Sequence, residues 1–152
     1  MFQSRDVRNV AFVWTMMAWT FDPRSGRDPN SYYPGNAYAD IIGSDGYNWY
    51  PGRRDARWAP FRRVFEPTYS FALTHDKPVM AVEYGVQEDP AVVGRKAEWL
   101  TDALATIRGW PMFKALIYFD ETKSGFRWVT DTSSSSTSAY RAIANDAYLS
   151  PT

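Results

Sequence analysis

The feature that most constrains this chain is a recurrence. Four short, almost continuously apolar runs occur at residues 9–15 (NVAFVWT), 40–45 (DIIGSD), 78–84 (PVMAVEY) and 114–120 (KALIYFD). Their ends, at Trp14, Asp45, Glu83 and Asp120, lie 31, 38 and 37 residues apart. A strand that is apolar at nearly every position has both faces covered, as in a parallel sheet. The spacing holds one strand, one crossover helix and their loops, so the recurrence predicts a parallel α/β fold.

The intervening segments carry helix signals. In residues 91–107, Ala97, Leu100, Leu104 and Ile107 fall three or four apart, with Asp89-Pro90 as the expected start and Gly109 as the stop. Trp58, Phe61, Val64, Phe65 and Phe71 predict another helix ending near His75-Asp76, broken in two at Pro67. Residues 137–149 predict a last helix with Ala139, Tyr140, Ile143 and Tyr148 inward, after a flexible polar lead-in at 133–136. No GxGxxG or Walker-type loop is present, so nucleotide-binding folds lose support and the (β/α)₈ barrel gains it. Such barrels run to roughly 250 residues. A chain of 152 residues holds about half of one, and residues 1–152 are expected to form a single partial barrel domain.

Composition excludes several functions. Lys+Arg and Asp+Glu both number 17, without the basic excess of a nucleic-acid footprint. No run of about 18 apolar residues is present to span a membrane. There is no Cys and one His, so thiol chemistry, disulfides and His- or Cys-rich metal sites are excluded, and no cofactor is expected. The apolar stretch at residues 10–14 is too short for a signal peptide. Aromatic residues make up 17% of the chain, including 7 Trp. They can fill a core, or build a surface that stacks on ring-shaped ligands.

In a parallel barrel the chemistry sits at the C-terminal strand ends. Those ends carry Trp14 and nearby Trp19; Asp45, Tyr47, Asn48 and Trp49; Glu83 and Tyr84; Tyr118, Asp120 and Glu121. Carboxylates, amides and aromatic faces around one mouth suit a sugar, and a glycosidase needs two carboxyl groups flanking the scissile bond. Glu83 is the first candidate, since a charge ending an apolar strand is costly without a purpose. The other reading is a Glu just beyond the strand, solvated or paired with an Arg. Asp45 is either a ligand group or a turn former beside Gly46. Tyr47 either orients Glu83 or packs in its loop. The cluster Arg53, Arg54, Arg57, Arg62 and Arg63 reads as a solvated crossover face, and His75, at the N-terminal end of a strand, as structural.

The segments NVAFVWTMMAWTFDP, YYPGNAYADIIGSDGYNW, KPVMAVEYGV, KALIYFDE and WVTDTS together resemble the C-terminal half of glycoside hydrolase family 26, which contains β-mannanases and related endo-glycanases. The resemblance spans residues 9–143. It implies a (β/α)₈ barrel that cleaves β-linked polysaccharides with retention of configuration, using an acid/base glutamate on the fourth strand and a nucleophile on the seventh. The four runs then correspond to strands five to eight. On this resemblance Glu83 takes the nucleophile's place and Tyr47 that of a tyrosine contacting it. Trp14, Trp49 and Trp128 look like cleft-lining aromatics, and Trp19, Asp45 and Asp120 join them as candidate substrate-binding residues. The family's acid/base lies in a histidine–glutamate motif upstream of the first run, and no such motif occurs in this sequence. Met16-Met17 stand where relatives often carry a proline–asparagine pair.

Half a barrel exposes two sheet edges and an uncovered inner face. The expected partners are therefore a polysaccharide or oligosaccharide substrate and either a second copy, a separate N-terminal half, or sequence preceding this segment. In the last case the resemblance implies secretion. The alternative to an enzyme portion is a non-catalytic carbohydrate-binding or structural half-barrel module.

Overall fold

A computed structural model describes residues 9–150. Four strands, β1 (Val13–Met17), β2 (Ile41–Asn48), β3 (Val79–Val86) and β4 (Phe113–Tyr118), form one sheet in that order, with every neighbouring pair parallel. Helix α1 (Phe61–Thr74) connects β2 to β3, α2 (Arg95–Arg108) connects β3 to β4, and α3 (Ser134–Ala144) follows β4. Two short strands, β5 (Thr122–Lys123) and β6 (Phe126–Arg127), make an antiparallel hairpin just beyond β4. This is the expected α/β architecture, four consecutive strands with no further strand paired at either sheet edge among the described residues.

The first crossover differs from expectation. Between β1 and β2 the chain makes three 3₁₀ segments, Ala18–Phe21, Pro23–Ser25 and Pro29–Ser31, and no α-helix. Pro23 and Pro29 cannot donate into a helical ladder. The Asp22 and Asp28 side chains accept the backbone N–H of Arg24 and Asn30, closing each turn locally.

The helices cover one face of the sheet only. Phe61, Phe65, Val79, Ala81, Tyr84, Leu100, Ile107 and Phe113 are fully buried there, each contributing about 1.5–3 kcal/mol for an aliphatic or Phe side chain. Phe61 stacks on Phe65 at 4.6 Å and meets Trp99 at 5.5 Å. This packing corrects the expected break at Pro67. The helix runs through the proline because Phe61, Phe65, Thr68, Tyr69 and Ala72 form one continuous buried stripe, which outweighs the local cost of the lost hydrogen bond.

Two other helix boundaries also shift. Helix α2 starts at Arg95 rather than near residue 91, because Asp89 caps the turn at Ala91 instead of the helix proper. Helix α3 starts at Ser134, capped by the Ser133 hydroxyl, which accepts the Ser136 N–H. The serine stretch expected as a flexible lead-in is therefore the ordered start of the helix. Tyr148 is 38% exposed rather than inward, although its hydroxyl donates to the carbonyls of Pro111 and Phe113.

The opposite face is bare. Val13, Met17 and Ile117 are 37%, 41% and 52% exposed, and β1 alternates exposed and half-buried along its length. No described helix is long and apolar enough to cross a membrane.

Candidate active site

The site begins with a break in strand register. Ser44 pairs with Ala81, but the next residue, Asp45, pairs with Glu83, so Val82 is an extra residue on β3. Such a bulge re-aims side chains. Strand alternation would otherwise send Glu83 to the same side as Ala81, under the helices. With the bulge, Ala81 and Tyr84 both stay in the core while Val82 and Glu83 both remain half-buried. Glu83 thereby emerges on the bare face beside Asp45. On the covered side the Thr68 hydroxyl of α1 donates to the Ser44 hydroxyl at 3.0 Å, tying helix to strand just ahead of the bulge.

Tyr47, two residues beyond Asp45 on the same face, donates its hydroxyl to Glu83 Oε2 at 2.5 Å. Burial, and then the hydrogen bond to the carboxylate, push the Tyr47 phenol far above its ordinary value, so it stays protonated and remains a donor. Of the two readings left open by the sequence, orienting Glu83 or packing in the loop, the geometry has both. The Tyr47 ring lies 4.7 Å from Trp128, 5.2 Å from Trp49 and 5.9 Å from Phe119. Gly85 makes this approach available, because a Cβ there would stand 3.0 Å from the Tyr47 ring and 3.2 Å from Trp128. Burial, helped by the nearby charge of Glu83, raises the Asp45 carboxyl above the usual carboxylate range. Asp45 Oδ1 is buried without a hydrogen-bond partner.

A cavity of about 210 Å³ adjoins the Tyr47 ring, lined by Met17, Trp19, Asp45, Tyr47, Trp49 and Arg63 among others. Trp19 is 49% exposed and carries the Arg27 guanidinium 5.2 Å above its ring. The Arg53 guanidinium lies 3.3 Å over Trp49. Among the described residues no group of His, Asp or Glu could hold a metal ion.

The structure thus brings together Asp45, Tyr47, Trp49, Glu83 and Trp128, with Trp19 on the lining of the adjoining cavity. It separates two other expected residues from them. Trp14 is not in the cleft. It pairs with Ile42 and packs on the helix-covered side against Phe21, Tyr33 and Phe71, because alternation in β1 turns Thr15 and Met17 toward the bare face instead. Asp120 is exposed and its Oδ1 accepts the backbone N–H of Thr130 at 2.7 Å, bracing the loop after β6. Trp128 is only 3% exposed, wedged between Tyr47, Trp49 and Phe126. His75 holds the end of α1, its Nδ1 within 2.8 Å of the Phe71 carbonyl.

Sequence reasoning missed the groups behind the aromatic cluster. Lys96 Nζ donates to the carbonyls of Val129 at 2.6 Å and Trp128 at 3.3 Å, and to the Thr132 hydroxyl at 3.0 Å. Glu88 Oε1 accepts the hydroxyls of Thr132, Ser136 and Ser133 at 2.7, 2.8 and 2.9 Å. Burial alone would raise the Glu88 carboxyl, but these hydroxyls and the Lys96 charge hold it below its ordinary value. Nothing local in the sequence marks these groups, whose partners lie far along the chain.

No protein-family model matches the chain. Among curated proteins it is 29% identical over 145 residues to Endoglucanase H of Acetivibrio thermocellus, covering 91% of this chain and 16% of that protein. Among solved structures it matches a GH26 β-mannanase from Bacteroides ovatus with a TM-score of 0.58 and 16% identity, covering 97% of this chain and 40% of the other. It also matches a modular endo-β-1,4-mannanase of glycoside hydrolase family 26 from Cellulomonas fimi, with a TM-score of 0.58 and 18% identity, covering 98% and 33%. The chain therefore spans well under half the length of each. These likenesses agree with the segment resemblance and establish the architecture: four (β/α)-type units matching part of the barrel of family 26 mannanases.

Proposed function

We propose that this chain is the nucleophile-bearing portion of a retaining glycoside hydrolase acting on a β-1,4-linked, mannan-type polysaccharide. The observation that carries the reading is the 2.5 Å hydrogen bond from Tyr47 to Glu83 at the C-terminal ends of adjacent parallel strands. In a retaining mechanism one carboxylate attacks the anomeric carbon and forms a covalent glycosyl-enzyme, which water then hydrolyses. Glu83 takes the attacking role. Tyr47 holds Oε2, which fixes the carboxylate rotamer and leaves Oε1 for attack. Asp45, which lines the cavity, accepts a sugar hydroxyl. Trp19 and Trp49, both lining the cavity, offer rings for a sugar to stack on. The half-buried Trp49 carries Arg53 on one face.

The general acid comes from outside the described residues, since no second carboxyl group converges on Glu83 except Asp45, its neighbour on the same sheet face. A positioned general acid is worth about 10²–10⁴-fold, so the segment alone hydrolyses unactivated mannan slowly. The bare face, with Val13, Met17 and Ile117 exposed, is where the rest of a barrel seats. The resemblance to family 26 and the partial cover of the related proteins support that completion. The test supplies an N-terminal half-barrel carrying a histidine–glutamate strand end and follows release of reducing sugar from mannan. Activity that appears on mixing and is lost with Glu83→Gln supports the reading. Mannan binding that depends on Trp49, with no turnover in the mixture, favours a non-catalytic carbohydrate-binding module. Full activity of the completed Glu83→Gln variant refutes the nucleophile assignment.

A further inference from the structure

Lys96 has no part in the reaction as derived, yet it is fully buried. A buried ammonium is costly unless its hydrogens are taken and its charge is answered. Here the three acceptors, the Trp128 and Val129 carbonyls and the Thr132 hydroxyl, match the three N–H groups of a charged lysine. All three lie in one segment, residues 128–132. The same segment is gripped from β4, where the Tyr118 hydroxyl donates to the Trp128 carbonyl at 2.7 Å. Glu88, beyond the end of β3, takes the Thr132 hydroxyl from its other side. The indole that these bonds immobilise is the one lying 4.7 Å from the Tyr47 ring, and Tyr47 holds Glu83.

We propose that Lys96 is a positioning residue: by fixing the backbone of residues 128–132 it presses the Trp128 indole against Tyr47 and so sets the geometry of the Tyr47–Glu83 pair. The catalytic consequence rests on Glu83 being the nucleophile; the mechanical coupling does not.

The charged groups that act on Lys96 lie in the segments that follow β3 and β4. Burial lowers its pKa most, Arg127 lowers it further, and Glu88, Asp120 and Asp131 raise it, leaving a value of about 8. Near that pH the ammonium gives up a proton. The neutral amine keeps two N–H groups for three acceptors, so one of the links to the segment is lost and the Trp128 indole is released to shift. The Tyr47 phenol does not ionise in this range, because its own pKa is far higher.

The experiment is a pH titration of the whole chain by NMR, following the indole signal of Trp128 and the ring signals of Tyr47. Trp128→Phe and Tyr47→Phe assign these signals. Both are expected to move in one step with a shared midpoint near pH 8. The step vanishes in Lys96→Met, and Glu88→Gln moves it to lower pH by removing a charge that favours the ammonium. It persists in Glu83→Gln, so loss of the nucleophile reading and loss of this one are separable. If Lys96→Met does not fold, the wild-type titration decides the matter with Glu88→Gln. Trp128 moving without Tyr47, a step unchanged in Lys96→Met, or Trp128 and Tyr47 signals in Lys96→Met that match those of the parent below pH 7 each overturns the proposal.

Discussion

The two faces of the four-stranded sheet are made from the same strands and have opposite characters. On the helix side, alternate residues of β2, β3 and β4 disappear into a core where Phe61 meets Tyr84 and Phe113 edge to face. On the other side Val13, Met17 and Ile117 remain open, and polar groups gather at the strand ends. A side chain on the first face is held by neighbours on all sides, whereas one on the second has neighbours only along the sheet. The bulge at Val82 decides which face receives the carboxylate. The difference teaches that stability and chemistry are divided between the faces, with one residue of register as the switch.

The contrast can be broken at several points, beginning with the largest effect. In a completed barrel, Glu83→Gln on the bare face is expected to lower kcat by about 10⁴–10⁶-fold, the range for removing a nucleophile, with little change in the urea midpoint. Steady-state kinetics and denaturation on one preparation check both halves. On the covered face Phe61→Ala is expected to cost about 3–5 kcal/mol of stability, measured by urea unfolding of the isolated chain. A loss under 1 kcal/mol means that face is not the core described.

Tyr47→Phe comes next. Removing a hydrogen bond to a charged group costs about 1.5–3 kcal/mol, so kcat is expected to fall about 10- to 150-fold with KM nearly unchanged. A change confined to KM places Tyr47 in substrate binding instead. A pH effect follows from Glu88, whose carboxyl is held below its ordinary value. Its stabilising contribution is fully present at and above the normal carboxylate range and is lost as pH falls through the lowered value. Unfolding midpoints between pH 7 and pH 3 should therefore drop less steeply in Glu88→Gln than in the parent. The smallest effect belongs to the open face, where Ile117→Ser is expected to change the stability of the isolated chain by no more than about 0.5 kcal/mol while weakening association with a complementing half-barrel.

The sequence made much of this arrangement legible, for identifiable reasons. All four strands announce themselves as apolar runs, because a parallel strand tolerates few polar residues on either face. That same uniformity hides which way each residue points. Trp14 carried no sign of facing the helices, and an alternating strand would have shown it. Asp45 and Glu83 were readable as strand-end carboxylates, but not the bulge that aligns them, since Val82 looks like any other strand valine. Length alone suggests a helix in the first crossover, whereas Pro23 and Pro29 with Asp22 and Asp28 spell out tight turns. Lys96 and Glu88 were invisible because their partners lie between 32 and 48 residues away in sequence. Polar networks of that span leave no local pattern.

The most direct test of the central claim uses a substrate that needs no general acid. An activated 2-deoxy-2-fluoro-mannosyl donor carries a leaving group that departs unprotonated, and the fluorine slows hydrolysis of the glycosyl-enzyme enough for it to accumulate. Incubated with the completed barrel and digested for mass spectrometry, it is predicted to add one glycosyl mass to the peptide containing Glu83, and to add nothing there in Glu83→Gln. Labelling of a different residue, or equal labelling of the Glu83→Gln protein, would contradict the account.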